Sequence, residues 1–204
     1  MTVAPDAAQA PPARLLLATR NAHKAEEFAA LLAPYAVDPL PEEVVLPPET
    51  GTTFAENALG KARAAAAATG LVSIGDDSGI ESEALDGAPG VYSARFAGPR
   101  ATDAENLAKL LREAPAGTGL AYVCAIAVVD PTDDPIRPHE HVVLGRCTGV
   151  LAAEPRGDGG FGYDPAFVPD EHPDRTMAEL TPDEKHAISH RGRAARALLR
   201  WLTG

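Results

Sequence analysis

Two adjacent carboxylates, Asp76 and Asp77, stand with Ser78 and Gly79 directly after the apolar run Leu71 to Ile74. Neighbouring carboxylates in a turn suit a divalent cation or a general base, and Glu49, in a proline-rich stretch, can add a further oxygen ligand. The same residues would also make a plain Asp-Ser-Gly turn. A second cluster, Thr19-Arg20-Asn21-Ala22-His23-Lys24, puts a hydroxyl, an amide and a cation beside the backbone N–H groups of a helix start. That arrangement suits an oligophosphate, although an asparagine N-cap with a solvated lysine reads the same way. In a third, Gly159-Gly160-Phe161-Gly162-Tyr163-Asp164-Pro165, glycines let backbone approach a flat ligand on which Phe161 or Tyr163 can stack, with Asp164 as an acceptor for a base edge. A structural glycine-rich turn with core aromatics is the plain alternative. The fourth is Lys185 with Ser189-His190-Arg191, donors for carbonyl or phosphate oxygens, or else a solvated helix face.

The elements that must position these clusters alternate. Arg14 to Ala18 reads as a strand and the segment carrying Phe28, Leu31 and Leu32 as an amphipathic helix, with Glu26 and Glu27 off its apolar face. Residues 34–51 hold five prolines and read as a loop with one extended piece. Thr53-Phe54-Ala55-Glu56 is a capping box that opens an alanine-rich helix ending at Gly70. Leu71 to Ile74 is a strand that stops at the Gly75-to-Gly79 turn. Thr102 to Glu105 caps another helix, to about Glu113. Ala121 to Val129 and Val142 to Leu151 form a pair of buried strands around a surface loop, 130–140. Thr181-Pro182-Asp183-Glu184 starts a helical segment, and a last amphipathic helix carries Ile188, Leu198, Leu199 and Leu202. Helices interleaved with strands give an α/β protein.

Two generic motifs fail on context. Gly157 to Gly162 satisfies G-x-G-x-x-G, but no helix can begin through Pro165 and Pro169, so it is no dinucleotide site. Gly60-Lys61 lies inside a helix with Ala62 where a P-loop needs Ser or Thr. Composition narrows the partners further. The 204 residues carry a net charge of −11, which argues against nucleic-acid and membrane-surface binding, while a few focused cations still suffice for a small phosphorylated substrate. No apolar run approaches the ~20 residues of a membrane span. Cys124 and Cys147 sit in apolar stretches without metal-ligand spacing and read as reduced core thiols of a cytoplasmic protein. Residues 1–13 read as a disordered extension, and 14–204 as one catalytic domain.

Taken in order, the four clusters resemble the inosine/xanthosine triphosphate pyrophosphatases, or XTP/dITP diphosphatases, from Leu15 to about Leu199. The stretches that carry the resemblance include Thr53-Phe54-Ala55-Glu56-Asn57-Ala58 with Lys61-Ala62, Asp76 to Gly79, and Gly87-Ala88-Pro89-Gly90-Val91-Tyr92-Ser93-Ala94-Arg95. Gly159 to Pro165, Ala178-Glu179-Leu180-Thr181, and Lys185 with Ile188-Ser189-His190-Arg191-Gly192 complete them. The resemblance implies two α/β lobes around a long mixed central sheet, a deep cleft between them, and a homodimer. It implies hydrolysis of ITP, dITP and XTP to the monophosphate and pyrophosphate, with Mg2+ bound by Glu49 and Asp77 and with Asp77 as the proton acceptor for water. Thr19 to Lys24 match the triphosphate-holding segment, with Lys61 as a second cation. Ser78, Phe161, Gly162, Tyr163, Asp164, Lys185, His190 and Arg191 match substrate-binding positions. Arg20 and His23 depart from the glycines many members carry, the 130–140 loop is longer than the family pattern, and residues 1–13 have no counterpart. The alternatives are a Maf-like pyrophosphatase of pyrimidine or modified nucleotides, whose motifs are missing, and a non-catalytic nucleotide binder, which would not need a metal-and-base pair.

Overall fold

The computed structural model describes residues 14–132 and 139–203, so the 1–13 extension and positions 133–138 of the 130–140 loop lie outside the described residues. A six-stranded mixed sheet in the order β2-β1-β3-β4-β5-β6 forms the centre. β1 (Arg14–Leu17) runs parallel to β2 (Ala36–Pro39) on one side and to β3 (Ser73–Ser82) on the other. From β3 onward, β4 (Gly119–Asp130), β5 (His139–Leu151) and the short β6 (Phe167–Pro169) pair antiparallel. Parallel strands covered on both faces need continuous apolar runs, and Leu15, Leu16 and Leu17 of β1 are all buried.

Helices cover both faces. α1 (Ala22–Leu31) and α5 (His190–Thr203) pack with one face through Phe28, Leu32 and Leu198. α2 (Phe54–Thr69) lays Ala58, Ala62 and Ala66 against Ala125, Ala127 and Val129 of β4 on the other. α2 starts as its capping box requires, with Thr53 Oγ1 accepting from Glu56 N at 3.1 Å, and ends at Gly70 in the left-handed region, φ 69°. α3 (Asp103–Glu113) and α4 (Pro182–Ile188) begin with the same box.

Two expectations are corrected. The run Gly75 to Gly79 is not a turn: β3 continues straight through it, with Asp76 opposite Ile126 and Asp77 opposite Ala125. Aspartate and glycine disfavour strands, but a ladder with β4 and specific partners for both carboxylates override that preference. The glycines serve close packing instead, since a Cβ on Gly75 would sit 2.3 Å from the Ala58 carbonyl oxygen and one on Gly79 2.4 Å from Ser93 Oγ. The terminal helix is also two pieces, with Ile188 closing α4 and Ser189, in extended conformation, separating it from α5. The rejection of Gly157 to Gly162 as a dinucleotide motif agrees with the structure, where a 3-10 turn and β6 follow it rather than a helix.

The long strands thread two apolar clusters. Ile74, Cys124, Ile126 and Val128 belong to one, with α1 and α5; Ile80, Leu120, Tyr122 and Cys147 belong to the other, with α3 and Phe167. These residues share one face of β3 and β4, and between Ile74 and Ile80 that face carries Asp76 and Ser78. The polar pair therefore falls where one core stops and the next begins, which is where a cleft between two lobes has to open.

Candidate active site

Strand alternation sends the neighbouring carboxylates to opposite faces of β3. Asp76 faces α1, where Lys24 Nζ donates to its Oδ2 at 2.7 Å. Burial alone would raise the Asp76 pKa, yet Lys24, Lys61 and Arg191 outweigh it and hold the carboxyl below its usual range. Asp77 faces α2, where Asn57 Nδ2 donates to its Oδ2 at 2.9 Å and Lys61 Nζ lies 3.6 Å from its Oδ1. Here burial wins, and with Glu49 opposing Lys61 and Asn57 the Asp77 carboxyl is pushed up. One carboxylate is thus fixed as an anion, and its neighbour holds a proton more readily. That is the separation acid–base chemistry uses.

Glu49 joins this group from the proline-rich loop. Lys61 Nζ donates to its Oε1 at 2.6 Å, and Arg95 lies 3.5 Å from its Oε2. Burial opposes ionisation of Glu49, but Lys61, Lys24 and Arg95 hold its pKa down. The α1 start is built as its sequence reads: Asn21 caps the helix by accepting from Lys24 N at 3.1 Å, and Thr19 Oγ1 accepts from Asn21 N at 3.2 Å. Arg20 turns elsewhere. Its guanidinium donates to the carbonyls of Leu40 at 2.7 Å and Val44 at 2.8 Å, strapping that loop to the cleft mouth.

The far wall is the glycine-rich turn. Gly160 and Gly162 have φ of 69° and 64°, which only glycine adopts without strain, and a Cβ on Gly160 would meet the Asp164 carboxylate. Asp164 is buried and fully engaged: its Oδ1 accepts from Tyr122 Oη at 3.0 Å, and its Oδ2 from Phe161 N and Lys185 Nζ, both at 3.0 Å. Tyr163 Oη donates to the Ser93 carbonyl at 2.7 Å, and Gly162 N to Asp103 at 3.1 Å. The Phe161 ring is stacked with His23 at 5.3 Å and has the Lys185 and Arg191 cations 5.1 and 5.0 Å from its centroid.

Beneath it, Arg191 donates to Ser78 Oγ at 2.9 Å and to Glu27 Oε2 at 3.0 Å. His190 is buried, and burial, reinforced by Arg191, Lys185 and Lys24, drives its pKa far below the ordinary imidazole value. It is a neutral ring at pH 7, and its Nδ1 has no hydrogen-bond partner among the described residues.

A single cleft of ≈ 380 Å³ collects these groups. Of the expected residues, Thr19, Arg20, Asn21, His23, Lys24, Glu49, Lys61, Asp77 and Ser78 line it, as do Phe161, Gly162, Tyr163, Asp164, His190 and Arg191. Ala22 and Lys185 do not. Ala22 is the exposed first residue of α1, and Lys185 is buried behind Asp164 and Glu27. The volume suits one small ligand. Residues given no role in the sequence reading also contact these groups: Asn57, Arg95, Tyr122, Asp103 and Glu27. Asn57 had a signal, because it precedes Lys61 by one helical turn on a stripe that is otherwise alanine. Glu27 had none, since its partners Lys185 and Arg191 are 158 and 164 residues away.

No trio of Asp, Glu, His or Cys forms a ready metal site among the described residues. What is present is a pair of hard oxygen donors, Glu49 and Asp77, sharing Lys61; on the opposite face of β3 the Asp76 Oδ1 is buried with no hydrogen-bond partner among the described residues. One or two carboxylates plus substrate phosphates are the usual surroundings of Mg2+, so this donor set fits it.

The Ham1 family profile matches residues 15–201. The chain belongs to the Ham1 family. A dITP/XTP pyrophosphatase of Mycolicibacterium paratuberculosis is 49% identical over 198 residues, covering 91% of this chain and 93% of that protein. The dITP/XTP pyrophosphatase of Escherichia coli O157:H7 is 46% identical over 194 residues, covering 91% and 96%. Among solved structures, a Ham1 protein from Coxiella burnetii superposes with a TM-score of 0.81 at 43% identity, covering 93% of this chain and 98% of that one. The dITP/XTP pyrophosphatase of Mycobacterium abscessus gives 0.70 at 45% identity, covering 91% and 98%. The Ham1 assignment therefore covers the mixed sheet, both helical layers and the cleft.

Proposed function

We propose that this Ham1 protein hydrolyses aberrant purine nucleoside triphosphates, ITP, dITP and XTP, to the monophosphate and pyrophosphate. The observation that carries the reading is the convergence, in one cleft, of the Asp77 carboxyl, whose pKa burial pushes up, with Lys24 and Lys61. Its dITP/XTP pyrophosphatase relatives act on the same substrate class by name.

Lys24 and Lys61 bind the triphosphate oxygens, leaving their carboxylate partners as substrate enters. Asp77 takes a proton from a water aligned with the α-phosphorus. The water oxygen bonds to phosphorus as the bridge to the β-phosphate breaks, and the electron pair leaves with pyrophosphate. Magnesium held by Glu49 and Asp77 would supply charge neutralisation at the phosphate oxygens. Asn57 fixes the Asp77 carboxylate so that its free lone pairs face the cleft.

At the other end Phe161 is the stacking surface and the base edge meets neutral His190 and cationic Arg191. A 6-oxo purine presents an acceptor there and adenine a donor. Leaving a buried donor against a donor can discriminate by up to ~10⁴-fold. The net charge of −11 keeps nucleic acid away. The two buried free thiols fit a reducing cytoplasm, and residues 14–204 act as one catalytic domain. By the same family resemblance the protein works as a homodimer.

Chelation tests the metal-dependent part. EDTA should abolish pyrophosphate release from ITP and added magnesium restore it; release that persists in excess EDTA would contradict the assignment of Glu49 and Asp77.

A further inference from the structure

We propose that Tyr122 is the positioning residue of the base end of the cleft: its ring holds His190, and so sets the preference for 6-oxo over 6-amino purines, while its hydroxyl holds the turn that presents Phe161. The inference rests on reading the His190–Phe161 end of the cleft as the base site.

Tyr122 rises from the middle of β4, paired with Ile80 of β3 on one side and Cys147 of β5 on the other. A position braced by two ladders is among the least mobile in the sheet. Its ring lies parallel to the His190 imidazole, 4.6 Å between centroids and 8° between planes, and Phe167 packs on it at 4.6 Å. The His190 Nδ1 has no hydrogen-bond partner among the described residues, so no such bond fixes that side of the ring. The stack supplies the missing constraint. It fixes the plane in which the two nitrogens of a neutral imidazole lie, and those nitrogens decide whether a base oxygen or a base amine is satisfied.

The other end of the same side chain reaches the opposite wall. Tyr122 Oη donates to Asp164 Oδ1 at 3.0 Å, while Asp164 Oδ2 accepts from the Phe161 backbone N–H. Asp164 is therefore the clasp of the glycine-rich turn, and Tyr122 ties that clasp to the sheet. A buried phenol commonly finds a partner for its hydroxyl, and this one is spent on the turn that presents Phe161. One rigid side chain thus touches both recognition walls. A core aromatic with no such role would need neither the parallel stack nor the carboxylate.

Two variants separate the contacts. Y122F keeps the ring and loses the donor: KM for ITP should rise about 3- to 10-fold, the worth of one buried hydrogen bond, with kcat changed by less than about twofold. Its ITP-over-ATP ratio of kcat/KM should stay as in the unmodified protein. Y122L removes the stack, and that ratio should fall by about 10-fold or more while Y122F, the conservative variant, retains it. A Y122L protein that melts cooperatively and keeps the ratio would overturn the proposal. If Y122L does not fold, Y122F decides: a raised KM supports the tie to Asp164, and an unchanged KM overturns it. H190A is measured alongside. If H190A leaves the ratio intact, the base-site reading itself falls and this inference with it; if H190A lowers the ratio and Y122L does not, only the positioning role falls.

Discussion

Asp76 and Asp77 are adjacent and identical in type, yet the pleat of β3 gives them different chemistry. Asp76 meets Lys24 and is held as an anion, whereas burial outweighs Lys61 and Asn57 at Asp77 and pushes its pKa up. D77N should therefore lose at least ~100-fold in turnover, the ordinary worth of a general base. Its stability should not fall with it. A carboxyl whose folded pKa lies above its unfolded value is a net cost to the fold at neutral pH, and Asn removes that cost while still accepting from Asn57. Steady-state rates and a thermal melt check both halves. The same shift is read without metal: in an NMR titration of the metal-free protein the Asp77 carboxyl should protonate with a midpoint above the ordinary aspartate value of about 4, and a midpoint at or below that value would contradict the shift. At this scale the sequence was informative about which residues meet in the cleft and silent about how they pair. The types and order of Lys24, Glu49, Lys61, Asp77 and Arg191 were legible. Glu27, Arg95 and Tyr122 were not, because their roles arise from contacts between distant segments.

Elements place those residues, and glycines control how closely the elements approach. A methyl group at Gly75 would strike the backbone carbonyl of Ala58, which cannot swing aside as a side chain could. G75A should cost about 1–3 kcal/mol and separate α2, with Asn57 and Lys61, from Asp77. G60A is the control within the same helix: its Cβ meets nothing within 4 Å, so it should stabilise α2 by roughly 0.5–1 kcal/mol. Chemical denaturation of the two variants reads the contrast. Glu184 closes the α4 capping box and pairs with Arg175 at 2.8 Å, and Arg175 first, then the Thr181 backbone, hold its pKa at about 2. A depressed carboxyl adds stability above its unfolded pKa of 4.5 and loses it as pH falls towards 2. The penalty of E184Q in a thermal melt should thus be present at pH 7 and shrink across that window. The helices were readable from their capping boxes because those signals are local. β3 was misread as stopping at Ile74, since aspartate and glycine mark turns until a partner strand supplies the ladder.

Across the whole molecule, two apolar clusters share the long strands β3 and β4, and the polar cleft occupies the gap between them. Lys24 and Lys61 line it together with a neutral histidine and stacked aromatics, although the chain as a whole carries −11. The α/β alternation was legible from periodicity; the sheet order β2-β1-β3-β4-β5-β6, with its change from parallel to antiparallel at β3, was not, because register is decided between segments rather than within them. One substrate class defines the proposed activity, so the most direct measurement is pyrophosphate release from ITP, XTP, dITP, ATP and GTP in magnesium. Release from the first three, with ATP slower by orders of magnitude, is what the cleft predicts. Equal release from ATP, or binding of ITP with no release, would contradict it.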